Sequence, residues 1–477
     1  MSWALRAGVL ALLALAASGC GTGPPRYGPS PGVDPPRERD AGPSGPRSPR
    51  FSKPFGGPLL VRVGLNWQPG SFRVASEHDL LLRANGRARG AGGTVTLSPR
   101  GRGEFRVEAG GRLLYEGTDP VTLETDPDAF LRAGERRVRG YLEISARSDS
   151  LMVVNVVPLE DYLRGVVPRE IGPRPIEERA AVAAQAVAAR TYAIRRLGQY
   201  GSLPFDVFAS VQDQVYEGAD GEHAVADLAI QDTRGLVLAD DRGPIEAFYS
   251  STCGGKRSDI ATVWPHRNVH PALRGGDDGP ATARWCRASP HFEWEERWDG
   301  RTLSGLLREN LPRLLQLPAG SVRGELTDVV VRGHGPSGRV KAIEYVTTHG
   351  RWTVPGDQNR WIFRRSDGGI LRSVLASFDV VRQGGRVARV TARGHGNGHG
   401  VGMCQMGAIG RARAGHSFQD ILAAYYPGVR IRPATERDLP PGRTGISGSF
   451  GGIPLATLGA PMVCSPGLSG REKRAGS

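Results

Sequence analysis

Residues 151–157 read LMVVNVV, an apolar run broken only by Asn155, and they constrain this chain more than any other segment. A half-buried strand alternates apolar and polar residues; this run does not, which predicts a strand buried on both faces. Shorter runs precede it at 59–65, 71–74, 93–97, 103–108 and 141–144, separated by Gly-rich turns. Residues 58–157 therefore read as a small β-rich unit. Beyond it a helix is predicted from Pro175 to about Leu197, with Pro175, Glu177 and Glu178 suited to its N-terminus and Gly198 to its stop. Ala181, Gln185, Ala188, Ala189 and Tyr192 share one face of that helix. Small residues there admit close approach of backbone, so the inset Gln185 and Tyr192 need partners, whether neighbouring backbone or a ligand.

Residues 1–20 hold Arg6, an apolar run at 7–17, then Ser18-Gly19-Cys20. The run is too short for a membrane span, which needs about 20 residues, and matches the core of an export signal. Small residues leading into Cys20 resemble a lipoprotein signal, with Cys20 as the lipid-bearing first residue. Ala17 stands where that pattern usually has Leu, which leaves an ordinary cleaved signal as the alternative. The implied location is the cell envelope: an exported lipoprotein, anchored to a membrane through Cys20 and facing the periplasm or the wall. Residues 21–57, rich in Pro and Gly, read as a disordered linker. The net charge of +14 does not signal nucleic acid, because only four of the 62 basic residues are Lys and no basic run stands beside interleaved aromatics.

The middle of the chain, about 289–393, reads as an α+β insertion. It has an amphipathic helix near 303–315, strands at 328–332 and 340–346, and a helix or turn near 370–375. Residues 431–477 read as a poorly ordered tail, and Cys464 within it carries no motif.

Several blocks carry a family resemblance: YLRGVVPREI at 162–171, AAVAAQAVAARTYAI at 180–194, VQDQVYEG at 211–218, AFYSSTCGG at 247–255 with Trp264 downstream, and GHGVGMCQMGA at 398–408 followed by ILAAYYPGV at 421–429. In this order they resemble the SpoIID/LytB family of bacterial cell-wall proteins. Ile171 stands where the family often has Met, Met406 where an aromatic is common, and Cys404 where Ser is common. The resemblance implies an α+β catalytic body at about 158–430 and two functional classes: peptidoglycan lytic transglycosylases, and non-catalytic activators of an N-acetylmuramoyl-L-alanine amidase. An activator would be expected to carry repeated wall-binding modules, and the chain shows no internal repeat.

Glu170 matches the family's catalytic Glu. Transglycosylation needs one carboxyl group, which protonates the leaving oxygen and then, ionised, takes the proton of the sugar's own 6-hydroxyl. The apolar flanks Val166, Val167, Pro168 and Ile171 favour a raised carboxyl pKa. Gln185, Arg190, Tyr192, Asp213, Gln214, Tyr216, Ser251 and His399 lie in the matching blocks as candidate glycan contacts or structural hydrogen-bonders, with Arg190 or His399 suited to orient Glu170 or meet a lactyl carboxylate. The expected partners are peptidoglycan glycan strands, the membrane, and for the activator class a cell-wall amidase; no cofactor is expected. Export puts cysteines in an oxidising compartment, where a Cys253–Cys286 disulfide is the first expectation. A structural zinc on Cys253, Cys286, Cys404 and a nearby His such as His270 is the alternative, and free thiols a third. His395 and His399 have i, i+4 spacing, but the glycines around them predict a tight loop and no helical metal motif.

Overall fold

The computed structural model describes residues 59–201, 203–267 and 269–440. Residues 1–20 with Cys20, the linker at 21–57 and Cys464 lie outside the described residues. The described chain is α+β.

The run at 151–157 is the centre of the N-terminal unit. It forms the strand Ser150–Pro158, third in a seven-stranded sheet, with Leu60–Gln68 on one side and Tyr141–Arg147 on the other. Leu151, Val153 and Val157 face one apolar core while Met152, Val154 and Val156 face a second with Tyr141 and Phe205. Burial on both faces accounts for the missing alternation. Asn155 is tolerated because every polar atom of its side chain is used: its amide donates to the carbonyls of Arg139 and Tyr141 and its Oδ1 accepts from the Tyr216 hydroxyl at 2.7 Å. A six-stranded sheet built from Phe72–Ala75, Thr94–Gly101 and their neighbours contributes Val74, Val95, Leu97 and Phe105 to the first core.

That core continues into the helices. Helix α1 (Leu159–Ile171) follows the strand with no linker, Glu160 and Asp161 stand in its first turn, and Gly172 at φ +79° ends it. Pro168 hides this helix in the sequence, since a proline inside a helical pattern reads as a break; here it removes one backbone donor, facing the Arg164 carbonyl, and the helix runs on to Ile171. A short 3₁₀ turn, Ile176–Glu178, then leads into α2 (Arg179–Arg196), whose Ala-rich face is buried along its length. Helix α3 (Ala224–Asp232) packs against both.

The segment predicted as an insertion carries a separate apolar core, with Trp298, Leu303, Leu307, Leu311, Ile343, Tyr345, Phe363 and Val390. Its helix is Gly300–Leu314, and two three-stranded sheets flank it: Glu293–Asp299 with Arg386–His395 and Ala376–Gln383, and Leu326–Val331 with Ala342–Thr347 and Gly350–Pro355. The tail expectation is corrected over 431–440. Arg430–Pro433 pairs antiparallel with Leu236–Asp240, and Arg432 forks onto Asp438 at 2.7 and 2.8 Å, so the chain stays ordered past Pro433.

Candidate active site and a buried thiol cluster

Glu170 sits in the last turn of α1, half-buried. Two close approaches of backbone bring its partners in. A Cβ at Gly165 would lie 2.7 Å from the Tyr216 ring and 2.8 Å from the Gly218 carbonyl, so glycine there lets the 211–218 segment close over α1. That places the Val215 N–H 2.9 Å from Glu170 Oε1. Gly402, at φ +72°, would put a Cβ 1.9 Å from the Phe248 carbonyl oxygen; without one, Met403–Cys404 pairs in parallel with Tyr249–Ser250. This bridge joins the last signature block to the fourth and seats the next residue, Gln405, against both Glu170 and Gln185.

Burial drives the Glu170 carboxyl from 4.5 up to about 7, against the opposing pull of the Val215 N–H and the Gln405 amide, which favour the charged form. A carboxyl group poised there is present in both states near neutral pH, as an acid and base in turn requires. Around it the polar groups form a buried mesh. Gln214 accepts from the Tyr162 hydroxyl at 2.9 Å and donates to Tyr249 Oη at 2.9 Å and to the Ala189 carbonyl. Gln185 accepts from Gln405 at 3.3 Å, and its own Nε2 finds no partner among the described residues.

The remaining candidates divide sharply. Arg190 is fully buried, forked onto Glu160 at 2.9 and 2.6 Å and donating to the carbonyls of Leu236 and Ile230, so it neither touches Glu170 nor is open to a carboxylate from outside. Asp213 accepts from the hydroxyls of Tyr192 and Tyr200 and from the Phe208 N–H, and burial raises its pKa. Tyr216 is committed to Asn155 and stacks on Tyr162. Ser251 is half-buried and its carbonyl accepts from the Met406 N–H, one residue beyond Gln405. His399 lies in a loop, as its glycines predicted, against Trp264 and Phe248; its Nδ1 accepts from the Val401 N–H and burial lowers its pKa to about 4, so the ring is neutral at physiological pH. Gln405 and Tyr249, both inside the quoted blocks, belong to the Glu170 neighbourhood, although the sequence singled out neither.

The disulfide expectation is corrected. Cys253, Cys286 and Cys404 are free thiols, buried together, with Cys253 Sγ 3.6 Å from Cys286 Sγ against the roughly 2.05 Å of an S–S bond. Their sulfurs and a carboxylate oxygen of Asp278 all lie within 4.8 Å of one another. Burial pushes the Cys253 and Cys404 thiols up, and hydrogen bonds from those two hold Cys286 down. His270 is elsewhere, paired with Asp240 at 3.1 Å, and the exposed His395 is not in the cluster.

The α+β scaffold thus brings together a carboxyl group of raised pKa, a backbone amide and a glutamine. Comparison with known proteins agrees with the blocks that build it. The profile of the stage II sporulation protein family, SpoIID, matches residues 147–239, and a domain of unknown function matches 285–402, the segment that includes the second core. An uncharacterised protein of Brachyspira hyodysenteriae is 28% identical over 297 residues, covering 61% of this chain and 71% of that one. Stage II sporulation protein D of Bacillus subtilis is 27% identical over 296 residues, covering 59% and 76%. The amidase enhancer of the same organism is 27% identical over 293 residues, covering 56% of this chain but only 40% of the enhancer. Over these residues the chain is similar to proteins of the SpoIID/LytB family.

Proposed function

We propose that the cell-wall role that goes with this family is, in this chain, that of a peptidoglycan lytic transglycosylase cleaving the MurNAc–GlcNAc bond. The observation that carries the reading is the state of Glu170, whose buried carboxyl is raised to about 7 while its Oε1 is fixed by the Val215 N–H. Protonated, it donates to the glycosidic oxygen as the C1–O bond breaks and GlcNAc leaves. Ionised, it takes the proton of the MurNAc 6-hydroxyl as that oxygen bonds to C1, which closes a 1,6-anhydro ring and restores the acid. Gln405 and Val215 stabilise the ionised form between the two steps, and no second carboxylate is needed. Export and lipidation at Cys20 would place this chemistry at a membrane face in the envelope, next to the glycan.

The test is Glu170→Gln on purified glycan strands. The amide keeps shape and can still accept from Val215, so strand binding and fold should persist while release of anhydro sugars stops; release at the wild-type rate would refute the role. The relative named amidase enhancer supports a second reading, a non-catalytic activator of a wall amidase. Under that reading Glu170→Gln would leave stimulation of an amidase intact and the wild type would cleave no glycan.

A further inference from the structure

The thiol cluster lies outside the Glu170 chemistry, and its geometry does not suit three ordinary buried cysteines. A free buried Cys behaves as a small apolar group and packs against apolar neighbours. Here three sulfurs turn toward each other and toward a carboxylate, and all four residues are at most 1% exposed. We infer that Cys253, Asp278, Cys286 and Cys404 bind one thiophilic divalent cation, Zn²⁺ by its chemistry, in a closed structural site.

Distances favour this over a disulfide. Tetrahedral zinc with Zn–S near 2.3 Å and Zn–O near 2.0 Å sets ligand-to-ligand edges of roughly 3.5–3.8 Å. Cys253 Sγ stands 3.6 Å from Cys286 Sγ and 3.3 Å from Asp278 Oδ2. A Cys253–Cys286 disulfide would leave Cys404 and Asp278 facing a neutral bridge. The surroundings are arranged for anionic ligands. Cys404 Sγ accepts the Cys253 and Gly407 N–H groups at 3.2 and 3.3 Å, the latter at the start of helix Gln405–Arg413. Tyr425 donates to Asp278 Oδ1 at 2.7 Å, leaving Oδ2 for the cluster. Arg411 approaches the same carboxylate at 3.9 Å, and the fully buried Arg339 donates to the carbonyls of Cys253 and Lys256. Three thiolates, one carboxylate, a divalent cation and these two guanidinium groups sum to zero charge, the condition under which so many ionic groups can be buried together. Three soft sulfurs select zinc over magnesium or calcium.

All four ligands are buried, and four is the number that a closed tetrahedral zinc site takes, which leaves no open position for water and makes the site structural, not hydrolytic. It ties the loop after the strand Tyr249–Ser250, the stretch that leads into the segment with the second core, and Cys404, the residue preceding Gln405. The cation thereby fixes the glutamine that touches Glu170.

The experiment is elemental analysis of the purified full chain, with alkylation mapping of each cysteine before and after treatment with a thiol-displacing mercurial. About one zinc per chain is expected, with Cys253, Cys286 and Cys404 unreactive until the mercurial releases the metal, and Asp278→Asn or Cys286→Ser lowering the zinc content about tenfold or more. Cobalt substitution of the wild type adds a readout that needs no variant: a thiolate charge-transfer band with the intense visible bands of a tetrahedral site. Metal-free protein with a Cys253–Cys286 disulfide, or with three freely alkylated thiols, overturns the inference. Glycan cleavage is not part of the readout, so failure here leaves the transglycosylase reading standing, and the reverse.

Discussion

The raised carboxyl of Glu170 makes a stability prediction independent of any substrate. In the unfolded chain the group titrates near 4.5, and in the folded protein at about 7. Below 4.5 both states hold the proton and the group is neutral in its effect. As pH rises from 4.5 to 7 the unfolded chain releases the proton while the folded protein keeps it, so stability is lost through that window and is constant above it. The interval of about 2.5 pH units, at 1.36 kcal/mol each, sets an upper value of about 3 kcal/mol, and the partial exposure of the residue brings the expectation to roughly 1–3 kcal/mol. Glu170→Gln removes the titration and keeps the hydrogen bond from Val215. Urea unfolding of both proteins at several pH values measures the difference, which cancels every other titrating group they share. The Gln variant should match the wild type within about 0.5 kcal/mol at pH 4 and exceed it by 1–3 kcal/mol at pH 8.5. A difference that is flat with pH, or a variant less stable at pH 8.5, would refute the assignment of a desolvated carboxyl.

The same group sets the pH dependence of glycan cleavage: kcat/KM, which reports the free enzyme, should be level just below about 7 and fall about tenfold per pH unit above it, as followed by release of soluble fragments. Arg190→Met leaves Glu160 and two carbonyls without their buried partner and should cost about 3–5 kcal/mol in chemical denaturation, while the folded fraction keeps its KM; a raised KM at unchanged stability would instead make Arg190 a substrate contact. Gly402→Ala drives a methyl group into the Phe248 carbonyl at a positive φ and should cost at least about 3 kcal/mol by thermal unfolding. A loss under 1 kcal/mol there would mean the strand bridge yields easily.

Periodicity exposed most of the architecture. The unalternating run at 151–157, the Ala-rich helix and the separate α+β segment each follow from side-chain pattern, since burial on one or two faces writes itself directly into sequence. Helix α1 was hidden by Pro168 and by its direct emergence from a strand, two features that local pattern reads as a break. At the site, the motif pointed to Glu170, and the structure sets its carboxyl against the Val215 N–H and Gln405. Arg190 and Asp213 were misleading because buried polar groups with internal partners share residue types and blocks with ligand-binding ones; only the partner, Glu160 or Tyr192, separates the two cases. Asp278 left no signal at all. It is the second of two adjacent acids, Asp277 and Asp278, between Cys253 and Cys286 in sequence, and nothing but three-dimensional convergence marks it as the fourth member of the cluster.

The central claim, that Glu170 drives glycan cleavage without water, is tested most directly by digesting purified glycan strands in ¹⁸O-labelled water and reading the products by mass spectrometry. The account predicts MurNAc ends one water lighter than reducing ends, carrying no ¹⁸O, and absent when Glu170 is replaced by Gln. Reducing ends that carry ¹⁸O would make the protein a hydrolase, and intact strands after prolonged incubation with the wild type would contradict catalysis altogether.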